Sequence, residues 1–93
     1  MRLRARVMGG IYRAGYDFPA GPVCIVCEDA FGSADLCLGV GEDPGDIYTD
    51  IYFRDKVWVD LKVGDYVRID ARNEDDDFSM NVYEVTPGEA ISI

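Results

Sequence analysis

Four groups of residues in this chain are of types that do chemistry, and the chain has no histidine. Cys24 and Cys27 form a Cys-x-x-Cys pair, with Cys37 further on. Thiolates in that spacing hold zinc. Asp46, with Asp60 and Lys62, offers two carboxylates and an ammonium, the set with which metal-dependent nucleases bind Mg²⁺ and orient water. Glu74, Asp75, Asp76 and Asp77 form a run of hard oxygen donors. Arg2, Arg4 and Arg6 alternate with Leu3, Ala5 and Val7, so a strand here presents an arginine face to an anion.

The first three groups fall short of a catalytic or metal site. Residues three apart on a strand point to opposite faces, so Cys24 and Cys27 cannot share one metal unless a turn intervenes. No fourth Cys or His closes a zinc tetrahedron. The Asp-x-Lys match is short in a chain this rich in Asp. An EF-hand loop needs a central Gly and a distal Glu at fixed spacing, and Phe78 follows the acidic run instead. Gly39-Val40-Gly41 is not a phosphate loop, because Pro44 interrupts where a helix would start. Without histidine, Ser-His and Cys-His nucleophilic sites are excluded. The expectation is a protein that is not an enzyme and holds no cofactor or metal.

Charge is the stronger signal. The first sixteen residues carry four arginines and no acid, and the remaining seventy-seven carry five basic residues against eighteen acidic ones. The net charge is −9. A body this acidic repels phosphate at long range, which disfavours a nucleic-acid ligand. It favours a protein partner with a basic surface.

The elements that must carry these residues are strands. Apolar residues recur with period two: Val23, Ile25, Cys27; Leu36, Leu38, Val40; Ile47, Ile51, Phe53; Val57, Val59, Leu61; Val67, Ile69, Ala71; and Met80, Val82. Gly9-Gly10, Pro19 to Pro22, Gly32-Ser33, Asp43-Pro44-Gly45, Gly64-Asp65 and Pro87-Gly88 supply turns between them. One domain spanning residues 1–93 follows, with 48% hydrophobic residues, enough for a core. No apolar run approaches a membrane span and the N-terminus lacks a signal-peptide core, so the expected location is cytoplasmic and no membrane partner is expected.

The strand order resembles the OB-fold, a five-stranded Greek-key barrel. Residues 2–13 resemble its long first strand, 22–29 the second, 35–41 the third, 65–73 the fourth and 79–86 the fifth. Leu61 to Ile69 resembles the turn into its fourth strand. The expected fold is therefore an all-β antiparallel barrel of five to six strands. An SH3-like barrel, which shares the Gly-Asp-x-Val turn, or an open antiparallel sheet is the alternative.

Two surfaces compete for the functional role on that scaffold. Tyr48, Tyr52 and Trp58 fall on the opposite parity from Ile47, Ile51, Val57 and Val59. Aromatics among acids are typical of protein-binding hot spots. This makes Tyr48, Asp50, Tyr52, Trp58 and Asp60 the expected contacts, with Glu74, Asp75, Asp76 and Asp77 steering a basic partner. Carboxylates on a rigid sheet imitate phosphates, so a phage or mobile-element inhibitor of a nucleic-acid-handling complex is the concrete form of this expectation. The alternative is a single-stranded nucleic-acid-binding OB module. The OB resemblance implies for it a strip of Arg2, Arg4, Arg6, Arg68 and Arg72, with Tyr12, Tyr16 and Phe18 in the adjacent loop. A third reading is a structural subunit whose exposed face joins a homo-oligomer. The arginines also have a plain role, as sheet residues neutralised by acids across the strands.

Overall fold

The computed structural model describes residues 1–28, 32–71 and 79–86. Among them are eight strands: β1 (Arg2–Val7), β2 (Gly10–Arg13), β3 (Gly21–Cys27), β4 (Ser33–Gly39), β5 (Ile47–Arg54), β6 (Lys56–Leu61), β7 (Tyr66–Ala71) and β8 (Met80–Glu84). A single 3₁₀ turn, Pro44–Asp46, leads into β5. The strands form two four-stranded antiparallel sheets, ordered β1-β8-β3-β6 and β2-β7-β4-β5.

The connectivity is that of one long hairpin. β4 pairs with β5, β3 with β6, β2 with β7 and β1 with β8, each pair nested inside the next. Successive pairs alternate between the sheets, and β3–β8 and β4–β7 pairing completes each sheet. Nested pairing that alternates between two sheets is the double-sheet jelly roll. The all-β, antiparallel expectation holds. The strands number eight rather than five or six, and the pairings close no barrel among the described residues.

The difference begins at Met8-Gly9. The segment 2–13, expected as one strand, breaks there, so that β1 joins one sheet and β2 the other. Likewise 47–54 and 56–61 are not a hairpin within one sheet. Asp55, at φ 68, turns the chain from the edge of the second sheet to the edge of the first. Its backbone is bonded on both sides: its N–H donates to Gly32 at 3.2 Å and its carbonyl accepts from Cys27 at 2.7 Å.

The core lies between the sheets. Val23, Ile25, Val57, Leu61, Met80 and Val82 from the first sheet share a cluster with Leu36, Leu38, Phe53, Val67 and Ile69 from the second. These are the period-two residues of the sequence, so parity places the inner faces as expected. The turn at Lys62 to Asp65 is a type II turn by its bonding, with the Asp65 N–H donating to Lys62 at 3.1 Å. Gly64 supplies the required positive φ of 89°. Gly39 leaves room for the 3₁₀ turn: a Cβ there would sit 2.7 Å from the Asp46 carbonyl oxygen. Among the described residues no helix is long and apolar enough to cross a membrane.

The Asp55 corner yields a prediction. Left-handed backbone costs a β-branched side chain on the order of 1–3 kcal/mol, and costs glycine nothing. Asp55→Val is expected to lower the unfolding free energy by that amount, read as a lower urea midpoint at an unchanged m value, and Asp55→Gly to leave the midpoint in place.

Candidate functional site

The outer faces of the two sheets differ in chemistry, and the strand registers say which residues meet on each. On the second sheet, Asp35 of β4 lies directly opposite Asp70 of β7 and, on its other side, opposite Tyr52 of β5. One row along, Cys37 lies between Arg68 and Asp50. Three carboxylates therefore occupy neighbouring outward positions. Arg68 pairs with Asp70 at 3.2 Å. Like charges placed directly opposite destabilise a sheet, so this arrangement is not one that sheet stability alone would select. Cys37 is buried but outside the core cluster. Burial pushes its thiol pKa up, and the Asp50 charge and a hydrogen bond to Asp50 push it further.

Tyr48 stands beside this patch because of a register shift. Leu38 pairs with Thr49 and Gly39 with Ile47, which leaves Tyr48 as the extra residue of a bulge. A bulge re-aims the side chain it releases. The Tyr48 hydroxyl donates to the Asp65 carboxylate at 2.5 Å, and the Lys62 ammonium sits 5.7 Å from its ring centre. The hydrogen bond to Asp65, then burial, then the Asp65 charge push its pKa up to about 12.

The outer face of the first sheet is apolar at its centre. Leu3, Tyr83, Cys24 and Trp58 form one cross-strand row over all four strands. Val26 lies in the next row, between Asn81 and Lys56. Trp58, Tyr83 and Val26 are half-buried without packing against the core, and Cys24 is fully covered while also outside it. Burial pushes the Cys24 thiol pKa up, against the lowering charge of Lys56. Beside the row, Pro22, Val23, Trp58, Val59 and Asp60 line a shallow groove of about 300 Å³.

The expected contact residues are thus divided. Tyr48, Asp50 and Tyr52 lie on the second sheet, and Trp58 and Asp60 on the outer face of the first. Parity puts all of them outward, but outward from opposite sides of the sandwich. Glu74 to Asp77 and Arg72 lie outside the described residues.

The arginine strip is not a continuous face. The β1–β8 register shifts between Leu3 and Ala5, so Arg4 is the bulged residue. Arg2 then shares its side with Glu84, Ala5 and Val7, while Arg6 shares the opposite side with Leu3. Arg4 bonds Glu84 at 3.0 Å, and Arg6 pairs with Glu28. Arg68, expected to extend the strip, is in the other sheet. Phe18 is 4% exposed, and Tyr12 packs on the core with its hydroxyl donating to the Met8 carbonyl at 2.5 Å. Their rings lie 5.6 Å apart, in contact with each other rather than set out as a stacking platform. Tyr16 is exposed under the Arg13 guanidinium, 4.5 Å from its ring centre.

The cysteines occupy three separate settings: Cys24 on the outer face of the first sheet, Cys27 on its core side, and Cys37 on the outer face of the second. Among the described residues no three Cys, Asp or Glu side chains gather closely enough to hold a metal ion.

No known family matches this chain. The sequence fits no protein-family model, and neither the curated proteins nor the solved structures contain a significant match.

Asp35 and the Leu3–Tyr83–Cys24–Trp58 row do not stand out in the sequence, and nothing there sets Asp35 opposite Asp70. Each lies on strands far apart in the sequence, and only the register brings them together.

Tyr48 gives a testable titration. A phenol whose folded pKa is raised contributes stability that is present below its ordinary value near 10 and is lost as pH climbs toward about 12. Replacing Asp65 with Ala removes the largest cause of the shift, the hydrogen bond, together with the charge. In tyrosinate absorbance, Asp65→Ala is expected to bring one tyrosine back toward the ordinary range. An unchanged titration curve would show that the Tyr48–Asp65 bond does not set it.

Proposed function

We propose that this protein is a non-enzymatic binding module whose second-sheet outer face docks a partner with a basic surface. The observation that carries the reading is the placement of Asp35 opposite Asp70, with Asp50 one row away and Tyr52 alongside. A basic partner relieves the repulsion among the carboxylates, and the tyrosines supply rigid contact area of the kind that dominates interfaces. The net charge of −9 and the absence of histidine are consistent with it. Long-range attraction from that charge speeds encounter with a cationic surface.

Its most concrete form is an imitation of nucleic acid. Carboxylates held on a twisted sheet present an array of negative charge, and a nuclease or other nucleic-acid-handling enzyme has a basic channel to receive it. Small inhibitors encoded by phages and mobile elements work in this way. The nucleic-acid-binding alternative has less behind it, because Arg4, Arg6 and Arg68 are each taken up in ion pairs.

A comparison at constant net charge tests the proposal. Asp35→Asn with Asp70→Asn removes two charges from the face, and Glu42→Gln with Asp43→Asn removes two from the loop before β5. With a lysine-rich peptide as probe, the first pair is expected to weaken binding by about tenfold and the second by far less. Equal weakening by both would reduce the effect to net charge and sink the assignment of the face. The first pair removes the Asp35–Asp70 repulsion together with the exposed Arg68–Asp70 ion pair, so it is expected to change stability to urea by no more than about 1 kcal/mol.

A further inference from the structure

The first sheet turns outward a face that the acidic-face reading does not use. Its central row, Leu3, Tyr83, Cys24 and Trp58, is apolar across all four strands. Leu3 is exposed, and Trp58 and Tyr83 are half-exposed on either side of the covered Cys24. Contiguous apolar side chains that reach solvent with no part in the core mark an association surface. The charges around the row indicate what associates there.

Along β6 the outward residues are Lys56, Trp58 and Asp60, so two opposite charges stand at equal distances on either side of the tryptophan. Lys56 lies across from Val26, and Asp60 across from Pro22. Neither has an ion-pair partner among the described residues. Four residues apart on one strand they are separated by about 13 Å, too far to pair with each other. The remaining charges at the far end of the face, Arg6 and Glu28, already pair. Among the described residues the charges on this face therefore balance, in a chain of net charge −9. They offer a basic partner no excess of negative charge, and a strongly acidic one no excess of positive charge.

We propose that this face is the interface of a two-fold homodimer, in which Lys56 of each copy meets the partner subunit's Asp60. A two-fold axis lying between the copies, along the Trp58 row, lays each strand over its own counterpart with direction reversed. The residue two before Trp58 then falls over the residue two after it. The apolar row falls on itself, and Lys56 and Asp60 each meet an opposite charge on the other copy. An isologous interface requires this kind of self-complementarity. The dimer leaves both second-sheet faces exposed on its outside, so it neither requires nor obstructs binding there.

A charge-swap series on the full chain tests it. At about 100 µM, light scattering is expected to give a weight-average mass at least about one and a half times that of the chain, since a Kd in the tens of micromolar still leaves most chains in dimers at that concentration. Lys56→Asp alone and Asp60→Lys alone each set like charges against one another, and each is expected to weaken the dimer by roughly tenfold or more. The double variant restores both pairs with their signs exchanged, and is expected to recover dimerisation to within about threefold. Both side chains are exposed, so urea midpoints of the variants should stay near that of the original protein when all are measured at about 1 µM, well below the expected Kd. A monomer at this concentration overturns the proposal. So does a dimer indifferent to either single change, which would join through strand edges instead. So does a double variant no better than the singles.

Discussion

The packing of the two inner faces against each other is the constraint on which everything else in this molecule rests. Ile25 and Val82 must meet the same cluster as Leu36 and Ile69, and once they do, the direction of every other side chain on those strands is decided. Side chains alternate with period two, so a slip of one residue would exchange core for surface along a whole strand. Cys24 and Trp58 lie outside because Ile25 and Val57 lie inside. Asp35 meets Asp70 because Leu36 meets Ile69. The surface chemistry of both faces is therefore a by-product of core register.

Two departures from strict alternation show how local that control is. One extra residue in β1 moves Arg4 off the line of Arg6 and toward Glu84. One extra residue in β5 hands Tyr48 to Asp65. In both places the bulge takes a side chain from the regular face and gives it a specific polar partner, which is how a sheet acquires a defined contact without losing its core.

The strands and their inward residues were legible in the sequence because burial on one face leaves a period-two trace. The turns were legible because glycine and proline mark them. Membership of a sheet leaves no such trace. Tyr52 and Trp58 have the same outward parity and are close in sequence, yet the Asp55 corner sends them to opposite sides of the sandwich. Gly9-Gly10 marks a break in the run from Arg2 to Arg13, but nothing in the letters says that its two halves join different sheets. Bulges are equally silent, since Arg2, Arg4 and Arg6 alternate perfectly as letters. What the sequence holds is which residues face in; which outward residues become neighbours depends on pairings between strands as distant as β1 and β8.

This division of the surface matters because the chain is so acidic. Two copies of a protein with net charge −9 repel each other, and that repulsion is worst where carboxylates face carboxylates. Bringing two second-sheet faces together would set Asp35, Asp50 and Asp70 against their own counterparts. The first-sheet face meets no such penalty from its described residues, because Arg6 is balanced by Glu28 and Lys56 by Asp60. Burying its apolar row gains free energy in proportion to the area removed from water, and no unbalanced charge opposes it. The same sorting of charge leaves the acidic face, the proposed site for a cationic partner, outside such a contact. A sandwich is suited to this separation: its two outer faces are a core's thickness apart, so each can be specialised without disturbing the other.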